Sequence, residues 1–451
     1  MITHDPPVHD RTDRYCIIGA GAGGLTAAKN LLDAGVVVDV IERESALGGI
    51  WNPDNPHSPA YRSIHLITSK RWIEYTDFPI PEHYPTYLGL REAHTYLSTY
   101  AVWSGVRDHI EFGRTACDVD RTDGDPAWLV TLDNGERRRY AGLVIANGHN
   151  SQPRWPELVG DFDGPIMHAA QYDEPSIFDG RRVLVIGGGT SGADIAVEAS
   201  ARASATFLSV RRGCYYWPKH VLGMPTDEFY ERVLRLRIPR PLLRSGAALV
   251  LRASRAGDPA AYGLPTPPHK LLEEHFVINT TLLYNLGHGA IGAKPAIERL
   301  DGDGVRFTDG TRERIDLIVC ATGYEQTYLP FIDRRHLNWT GSIPGLHLHA
   351  FHPDYDNLFV VGLFQTSTGN WQIMDYQAQV IAQFIYWMSR DPARVSELRR
   401  AKAHPRYGRA LAGGINFYDS DRHQLQVDHV TLRDTLRRLS ARYALPREVA
   451  A

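Results

Sequence analysis

Four cysteines in 451 residues are too few and too scattered to carry redox or metal chemistry. Cys16, Cys117, Cys214 and Cys320 form no Cys-x-x-Cys or Cys-x4-Cys pair, so the adjacent thiols of a disulfide reductase are missing. Three of them sit in or beside strand-like apolar runs and read as buried small hydrophobes. No apolar run approaches the ~20 residues that span a bilayer. Met1 to Arg14 is polar and Pro-rich, without the basic start and apolar stretch of a signal peptide. A soluble, cytoplasmic protein is expected. Charge of one sign is lacking too: 49 Lys and Arg against 52 Asp and Glu give a net −3, which predicts neither a nucleic acid nor an anionic membrane as partner. No metal site and no side-chain nucleophile or acid–base constellation stands out. With 43% hydrophobic and 22% charged residues the chain is an ordinary globular one, with room for two or three domains.

What is present is a pair of glycine-rich turns. Cys16-Ile17-Ile18 is an apolar strand that runs into Gly19-Ala20-Gly21-Ala22-Gly23-Gly24 and then a small-residue helix. In this Gly-x-Gly-x-x-Gly pattern Gly19 permits the tight turn, Gly21 lets backbone approach a pyrophosphate, and Gly24 lets the helix pack on the strand. The helix N-terminus then offers free N–H groups and a positive dipole end to phosphate. Val183 to Ile186 repeats the strand and Gly187-Gly188-Gly189-Thr190-Ser191-Gly192 the turn, with Gly187, Gly189, Ser191 and Gly192 as its binding positions. The two sites differ in the charge at the end of the next strand. After the first turn that strand ends at Glu42, 23 residues beyond Gly19, where a carboxylate accepts from ribose hydroxyls and repels a 2′-phosphate. After the second turn it ends at Arg211 and Arg212, and Arg211 lies 24 residues beyond Gly187. Guanidinium there suits a 2′-phosphate. The first site is read as binding FAD and the second NADPH.

An internal repeat sets the architecture. Asp133-Asn134-Gly135-Glu136 leads to Leu143-Val144-Ile145-Ala146-Asn147-Gly148-His149, and Thr308-Asp309-Gly310-Thr311 leads to Ile318-Val319-Cys320-Ala321-Thr322-Gly323-Tyr324. Each copy reads as a hairpin turn followed by a buried strand that ends in Ala-x-Gly. The predicted fold is α/β, with two Rossmann-like domains and the NADPH domain inserted into the FAD domain. Residues 1–160 form the N-terminal part of the FAD domain and 161–325 the NADPH domain, with a linker and a helical excursion at about 214–280; 326–451 return to complete the FAD domain.

Between the two copies lies Phe162-Asp163-Gly164-Pro165-Ile166-Met167-His168-Ala169-Ala170-Gln171-Tyr172. This Phe-x-Gly-x3-His-x3-Tyr pattern resembles the signature of flavin-containing monooxygenases, class B flavoproteins that use FAD, NADPH and O2. Similar segments extend over nearly the whole chain: Leu47-Gly48-Gly49-Ile50-Trp51, Lys70 with Asp77-Phe78-Pro79, Ala321 to Tyr324, and Gly362-Leu363-Phe364-Gln365 followed by Gln377-Ala378. The resemblance is to soluble bacterial members. It implies that NADPH passes hydride to FAD N5, that O2 adds at C4a, and that the hydroperoxyflavin gives its terminal oxygen to a soft nucleophile, the nitrogen or sulfur of a small organic molecule. The cofactor carries that chemistry and the protein orients it and excludes water. A homodimer is implied as well.

The resemblance also nominates residues. Gly49 and Trp51 would contact flavin, with core filling as the other reading of Trp51. Gln365 and Gln377 would meet the isoalloxazine edge or a nicotinamide amide, or bond ordinary backbone. Thr68, Lys70 and His168 are candidates near the chemistry, and His168 reads equally as a hydrogen-bonded packing residue. Asn370-Trp371-Gln372 walls a substrate cavity or forms a surface turn. One position departs from the family. The Asn of its Asn-x-x-Lys segment is replaced here by Ile67, in His65-Leu66-Ile67-Thr68-Ser69-Lys70, which puts the substrate class in doubt. The rivals are Baeyer–Villiger oxygenation of a ketone, whose enzymes end the motif with Trp where this chain has Tyr172, a non-oxygenating FAD/NADPH oxidase, and a silent flavin-binding protein.

Overall fold

The structure is a computed structural model that describes residues 7–122, 124–236, 240–253, 258–275, 277–366, 368–420 and 423–446. The chain forms two compact units. Unit 1 comprises Met1–Ser58, Lys70–Ser151 and Gln326–Ala451; unit 2 comprises Pro59–Ser69 and Gln152–Glu325. Unit 2 thus takes Pro59–Ser69, which the sequence pattern leaves in the first domain, and begins at Gln152 instead of near residue 161.

Unit 1 is built on a seven-stranded sheet. Strands β1 (Val8–Ile18), β2 (Val37–Glu42), β3 (Ile110–Phe112), β4 (Ala116–Asp120), β5 (Trp128–Leu132) and β6 (Arg137–Ile145) lie in the order β3-β2-β1-β6-β5-β4, and the strand Leu358–Val360 also pairs with β6. Cys16–Ile18 and Leu143–Ile145 pair in parallel as near-continuous apolar runs, as central strands covered on both faces must be. Helix α1 (Ala22–Asp33) comes directly after the first glycine turn. The antiparallel side, β4 to β6, turns at Gly135, whose φ is +81°.

Unit 2 repeats the pattern in an all-parallel sheet. It contains β7 (Ile166–His168), β8 (Arg182–Ile186), α2 (Thr190–Ser200), β9 (Ala205–Ser209), β10 (Gly292–Lys294) and β11 (Leu317–Cys320), with strand order β10-β9-β8-β11-β7. The equivalence is detailed. β6 lies between β1 and Leu358–Val360, and β11 lies between β8 and β7. The strand expected to be linker, Ile166–His168, is therefore part of the sheet, because the outer side of β11 needs a hydrogen-bonding partner as β6 does. The excursion about 214–280 holds helices Thr226–Arg235 and Arg240–Ala253 and a short parallel pair, Tyr216–Trp217 with Val277–Ile278; its stretches 237–239, 254–257 and 276 lie outside the described residues. Among the described residues no helix is long and apolar enough to cross a membrane, and no cluster of His, Cys, Asp or Glu is placed to hold a metal.

Candidate functional site: two dinucleotide turns

Both turns divide their glycines between two jobs. A Cβ on Gly24 would lie 1.8 Å from the Gly19 carbonyl oxygen, and one on Gly192 would lie 1.9 Å from that of Gly187. These glycines exist so that helix can press on strand. Gly19 and Gly187 have φ of +103° and +116°, which L side chains rarely adopt. By contrast, a Cβ on Gly21 would come no nearer than 3.7 Å to protein, and one on Gly189 would meet nothing within 4 Å. Gly21 and Gly189 are the N-caps of α1 and α2, with no side chain capping the first turn. The first-turn N–H groups are thus left for a ligand, and the space a side chain would take is open to a pyrophosphate.

In unit 1 the turn opens on a cleft of about 1340 Å³ counted to its mouth. Gly48 and Gly49 form part of its wall; the Gly48 amide donates to the Ala20 carbonyl at 2.9 Å, and a Cβ on Gly49 would sit 3.1 Å from the Gly21 Cα. Glu42 closes another side. It is 5% exposed, its Oε2 accepts from the Ala20 N–H at 2.6 Å and its Oε1 from the Glu44 N–H at 3.0 Å. Desolvation raises its pKa against those bonds. Each carboxylate oxygen keeps a second lone pair for a ribose hydroxyl. Further along stand Trp51 and Trp371, edge to face at 5.9 Å, with Trp371 stacked on Tyr96 at 5.9 Å and 11°. Trp371 opens the long helix Trp371–Arg390 and is 5% exposed, so it is a cleft wall and not a surface turn.

Unit 2 presents its turn differently. The Gly188 carbonyl accepts from the Tyr216 hydroxyl at 3.1 Å and the Cys214 thiol at 3.3 Å, which fixes the loop. Beyond β9, Arg211 and Arg212 are exposed. Ser191 lies in the first turn of α2.

Several other nominated residues are occupied elsewhere. Lys70 donates its Nζ to the carbonyls of Glu82 at 2.7 Å and Tyr84 at 2.9 Å, so it ties down a loop of unit 1. Gln365 pairs its backbone with Leu425 and Val427 at 2.8 Å each and does not line the cleft. Gln377 is buried and bonds backbone at both ends, accepting from the Gly362 N–H at 3.1 Å and donating to the Leu348 carbonyl at 3.0 Å. His168 is the N-cap of a short 3-10 turn, where its Nδ1 accepts from the Ala170 N–H at 3.1 Å, and burial lowers its pKa. That is a structural role. Tyr172 is buried, stacks on Phe178 at 5.2 Å and donates its hydroxyl to Glu198. Thr68 is buried in unit 2, and Ile67 packs against the apolar cluster formed by Trp217, Ala247, Leu251, Leu271 and Ile278. Sequence reasoning missed Arg114, His149 and Met374, all of which line the cleft. For His149 a signal existed: the repeat places Tyr324 at the matching position, so the histidine departs from its own copy.

Two helix N-termini left open to phosphate, one beside a buried carboxylate and the other beside exposed arginines, define a protein with two dinucleotide-binding units of Rossmann type. The chain matches the family described as FMO-like, Flavin-binding monooxygenase-like, over residues 12–443, and it belongs to that family. Flavin-containing monooxygenase 5 of Rattus norvegicus is 30% identical over 443 residues, spanning 92% of this chain and 80% of that protein. In fold the chain is similar to cyclohexanone monooxygenase in an open form, with TM-score 0.72 at 19% identity over 96% of this chain and 97% of that one. It is likewise similar to S-allyl-L-cysteine S-oxygenase from Allium sativum, with TM-score 0.65 at 20% identity over 99% and 91%. The chain is a flavin monooxygenase, an oxidoreductase that acts with O2 on a small-molecule substrate.

Proposed function

We propose that the protein binds FAD in the cleft of unit 1 and NADPH at the glycine turn of unit 2, and oxygenates the nitrogen or sulfur of a small organic molecule. Gly19, Gly21, Gly24, Glu42, Gly49 and Trp51 would hold FAD; Gly187, Gly189, Ser191, Gly192, Arg211 and Arg212 would hold NADPH. The observation that carries the cofactor placement is the room at Gly189, where a Cβ meets nothing within 4 Å, and at Gly21, where its nearest contact is 3.7 Å, against the tight packing at Gly24 and Gly192. When bound, the flavin supplies hydride acceptance and O2 activation. The chain's own task is to fix it: free amides at α1 meet the pyrophosphate, Glu42 meets the ribose, and the apolar walls Trp51, Trp371 and Met374 keep water from the far end of the cleft.

The preference for heteroatoms over ketones rests on charge. Oxygenating a ketone takes an anionic, nucleophilic oxidant with a cation beside it, whereas amines and sulfides take a neutral, electrophilic one. The cationic side chains that line the cleft, Arg43 and Arg114, do so together with Glu42 and Glu44, and Arg43 is paired to Glu44 at 2.8 Å. Around Trp51, Gly362, Trp371 and Met374 the lining contributes no Lys or Arg. Tyr172, whose hydroxyl donates to Glu198, stands where the motif of the ketone-oxygenating enzymes has Trp. A homodimer in the cytoplasm completes the proposal. The test is product analysis with thioethers, tertiary amines and cyclic ketones, with product measured against NADPH consumed. Sulfoxides or N-oxides are expected. Lactones or esters as main products would establish Baeyer–Villiger chemistry, and NADPH oxidation yielding only H2O2 would establish an oxidase.

A further inference from the structure

His149 ends the Ala-x-Gly segment after β6 and lines the cleft of unit 1. Its Nδ1 lies 3.1 Å from the Gly362 carbonyl oxygen, and a carbonyl only accepts, so the hydrogen is on Nδ1. Burial lowers the pKa of the ring, which keeps it neutral. The carbonyl that holds it is itself fixed. Gly362 has φ +87°, its N–H is taken by the buried Gln377, and a Cβ there would meet Met374 Cε at 2.9 Å. A neutral imidazole held at Nδ1 has one polar atom left, the lone pair of Nε2, and the ring lines a cleft shared with Asn147, Asn150, Trp371 and Met374.

We propose that His149 is a flavin-holding residue whose Nε2 accepts a hydrogen bond from an O–H or N–H of the cofactor, while its Nδ1–H on Gly362 sets the angle of the ring. The proposal rests on the reading of the cleft as the FAD site. It goes beyond the glycine turn and Glu42, proposed to hold the phosphate and ribose portions, by adding a polar contact from the end of β6, the neighbour of β1.

Two near-isosteric substitutions separate the two nitrogens. The amide nitrogen of His149→Asn falls near Nδ1 and can keep the Gly362 bond, so this variant should melt close to wild type but release FAD about tenfold faster or more weakly, the value of one hydrogen bond. His149→Gln reaches the Nε2 position, so it should keep FAD while losing a few degrees of Tm. The measurements are FAD retained by the purified holoenzyme on dilution, monitored by flavin fluorescence, and thermal melting by circular dichroism. Wild-type protein loaded with FAD methylated at N3 tests the ring N–H as donor, and loading with FAD lacking the ribityl 2′-hydroxyl tests that O–H; whichever analogue matches the loss in His149→Asn names the donor. If His149→Asn holds FAD as wild type does, or neither analogue binds more weakly, the proposal is overturned. Gly21→Val prepared alongside keeps the two readings apart: if it also retains FAD, the cleft assignment itself fails.

Discussion

In unit 1 the group at the end of the second strand, Glu42, is buried against two backbone amides, whereas Arg211 at the matching place in unit 2 stands exposed to solvent. The turns before them are alike to within 0.1 Å in how Gly24 and Gly192 press on Gly19 and Gly187. The difference lies in the furnishing. Unit 1 adds a wall at Gly48–Trp51 and a second at Trp371–Met374, and it binds its carboxylate into the backbone before any ligand arrives. In unit 2 the side chains of Arg211 and Arg212 are exposed. Preorganisation lowers the cost of binding and slows release, so under the proposed placement the copy with built walls suits a resident cofactor and the copy with exposed arginines a coenzyme that exchanges.

The largest effects separate folding from binding within one turn. Gly24→Ala and Gly192→Ala place a methyl carbon within 2 Å of a carbonyl oxygen, so each should yield little folded protein. A Cβ at Gly21 makes only an ordinary 3.7 Å contact with Gly49, so Gly21→Val should give a folded protein without flavin colour; Gly189→Val, where a Cβ meets nothing within 4 Å, should keep its flavin and lose NADPH-dependent reduction. Circular dichroism with the visible flavin spectrum reads all four. A folded, yellow Gly21→Val would end the assignment of FAD to unit 1.

Acid should break unit 1 before unit 2. His347, His349, His352 and His429 are buried in unit 1, and burial lowers their pKa values from 6.5 to about 4, 4, 3 and 3. The sign comes from linkage: the folded state holds these rings neutral, so the unfolded state takes up protons first, and stability complete above pH 6.5 is lost as pH falls toward 4. Each ring then costs about 2 kcal/mol at pH 5, and a domain has only about 5–15 kcal/mol in all. FAD release, monitored by fluorescence, should therefore be steep between pH 6 and 4. Among the described residues of unit 2, burial lowers the pKa of His168. Substituting Phe for His429 should move the release to lower pH; no movement would show that other groups govern it.

On the coenzyme side the effect is on affinity alone. Charge-assisted bonds to a phosphate are worth about 1.5–3 kcal/mol, so Arg211→Ala or Arg212→Ala should raise the KM for NADPH roughly tenfold to a hundredfold. NADH kinetics should stay as they are. Equal use of both coenzymes by the wild type would remove the 2′-phosphate role of these arginines.

What could be read from the sequence was whatever the backbone itself demands. Glycines at fixed spacing, a charge at the end of the next strand and the hairpin at Gly135 are local requirements, and each stands where the pattern puts it. What could not be read depends on partners distant in the chain. The three residues Ile166–His168 are too short a run to announce a strand, and only the free side of β11 makes them one. Lys70 looked free for chemistry until the loop at Pro81 to Tyr84 enclosed its ammonium. Gln365 was drawn away by Leu425 to Val427, sixty residues on, and His149 was brought to the cleft by a carbonyl from the returning segment.

The smallest effect sharpens the comparison most, because it asks whether the two strand-end residues differ in stability as well as in ligand. Glu42→Ala strips an acceptor from the Ala20 and Glu44 amides, and a buried N–H left unpaired costs about 1–3 kcal/mol. The desolvation that already raises the Glu42 pKa offsets part of that loss, since the variant no longer buries a charge. A net destabilisation of about 1–2 kcal/mol is expected, a few degrees in Tm, with FAD bound severalfold more weakly. Arg211→Ala, exposed, should leave the Tm unchanged. Glu42→Gln supplies a control, because its amide keeps one acceptor but turns a donor toward the other N–H, so it should fall between Ala and wild type in FAD affinity without recovering the full Tm. If Glu42→Ala melts like wild type and Arg211→Ala does not, the carboxylate is not part of the unit's framework, and the contrast between a resident and an exchanging ligand would have to rest on the walls of the cleft alone.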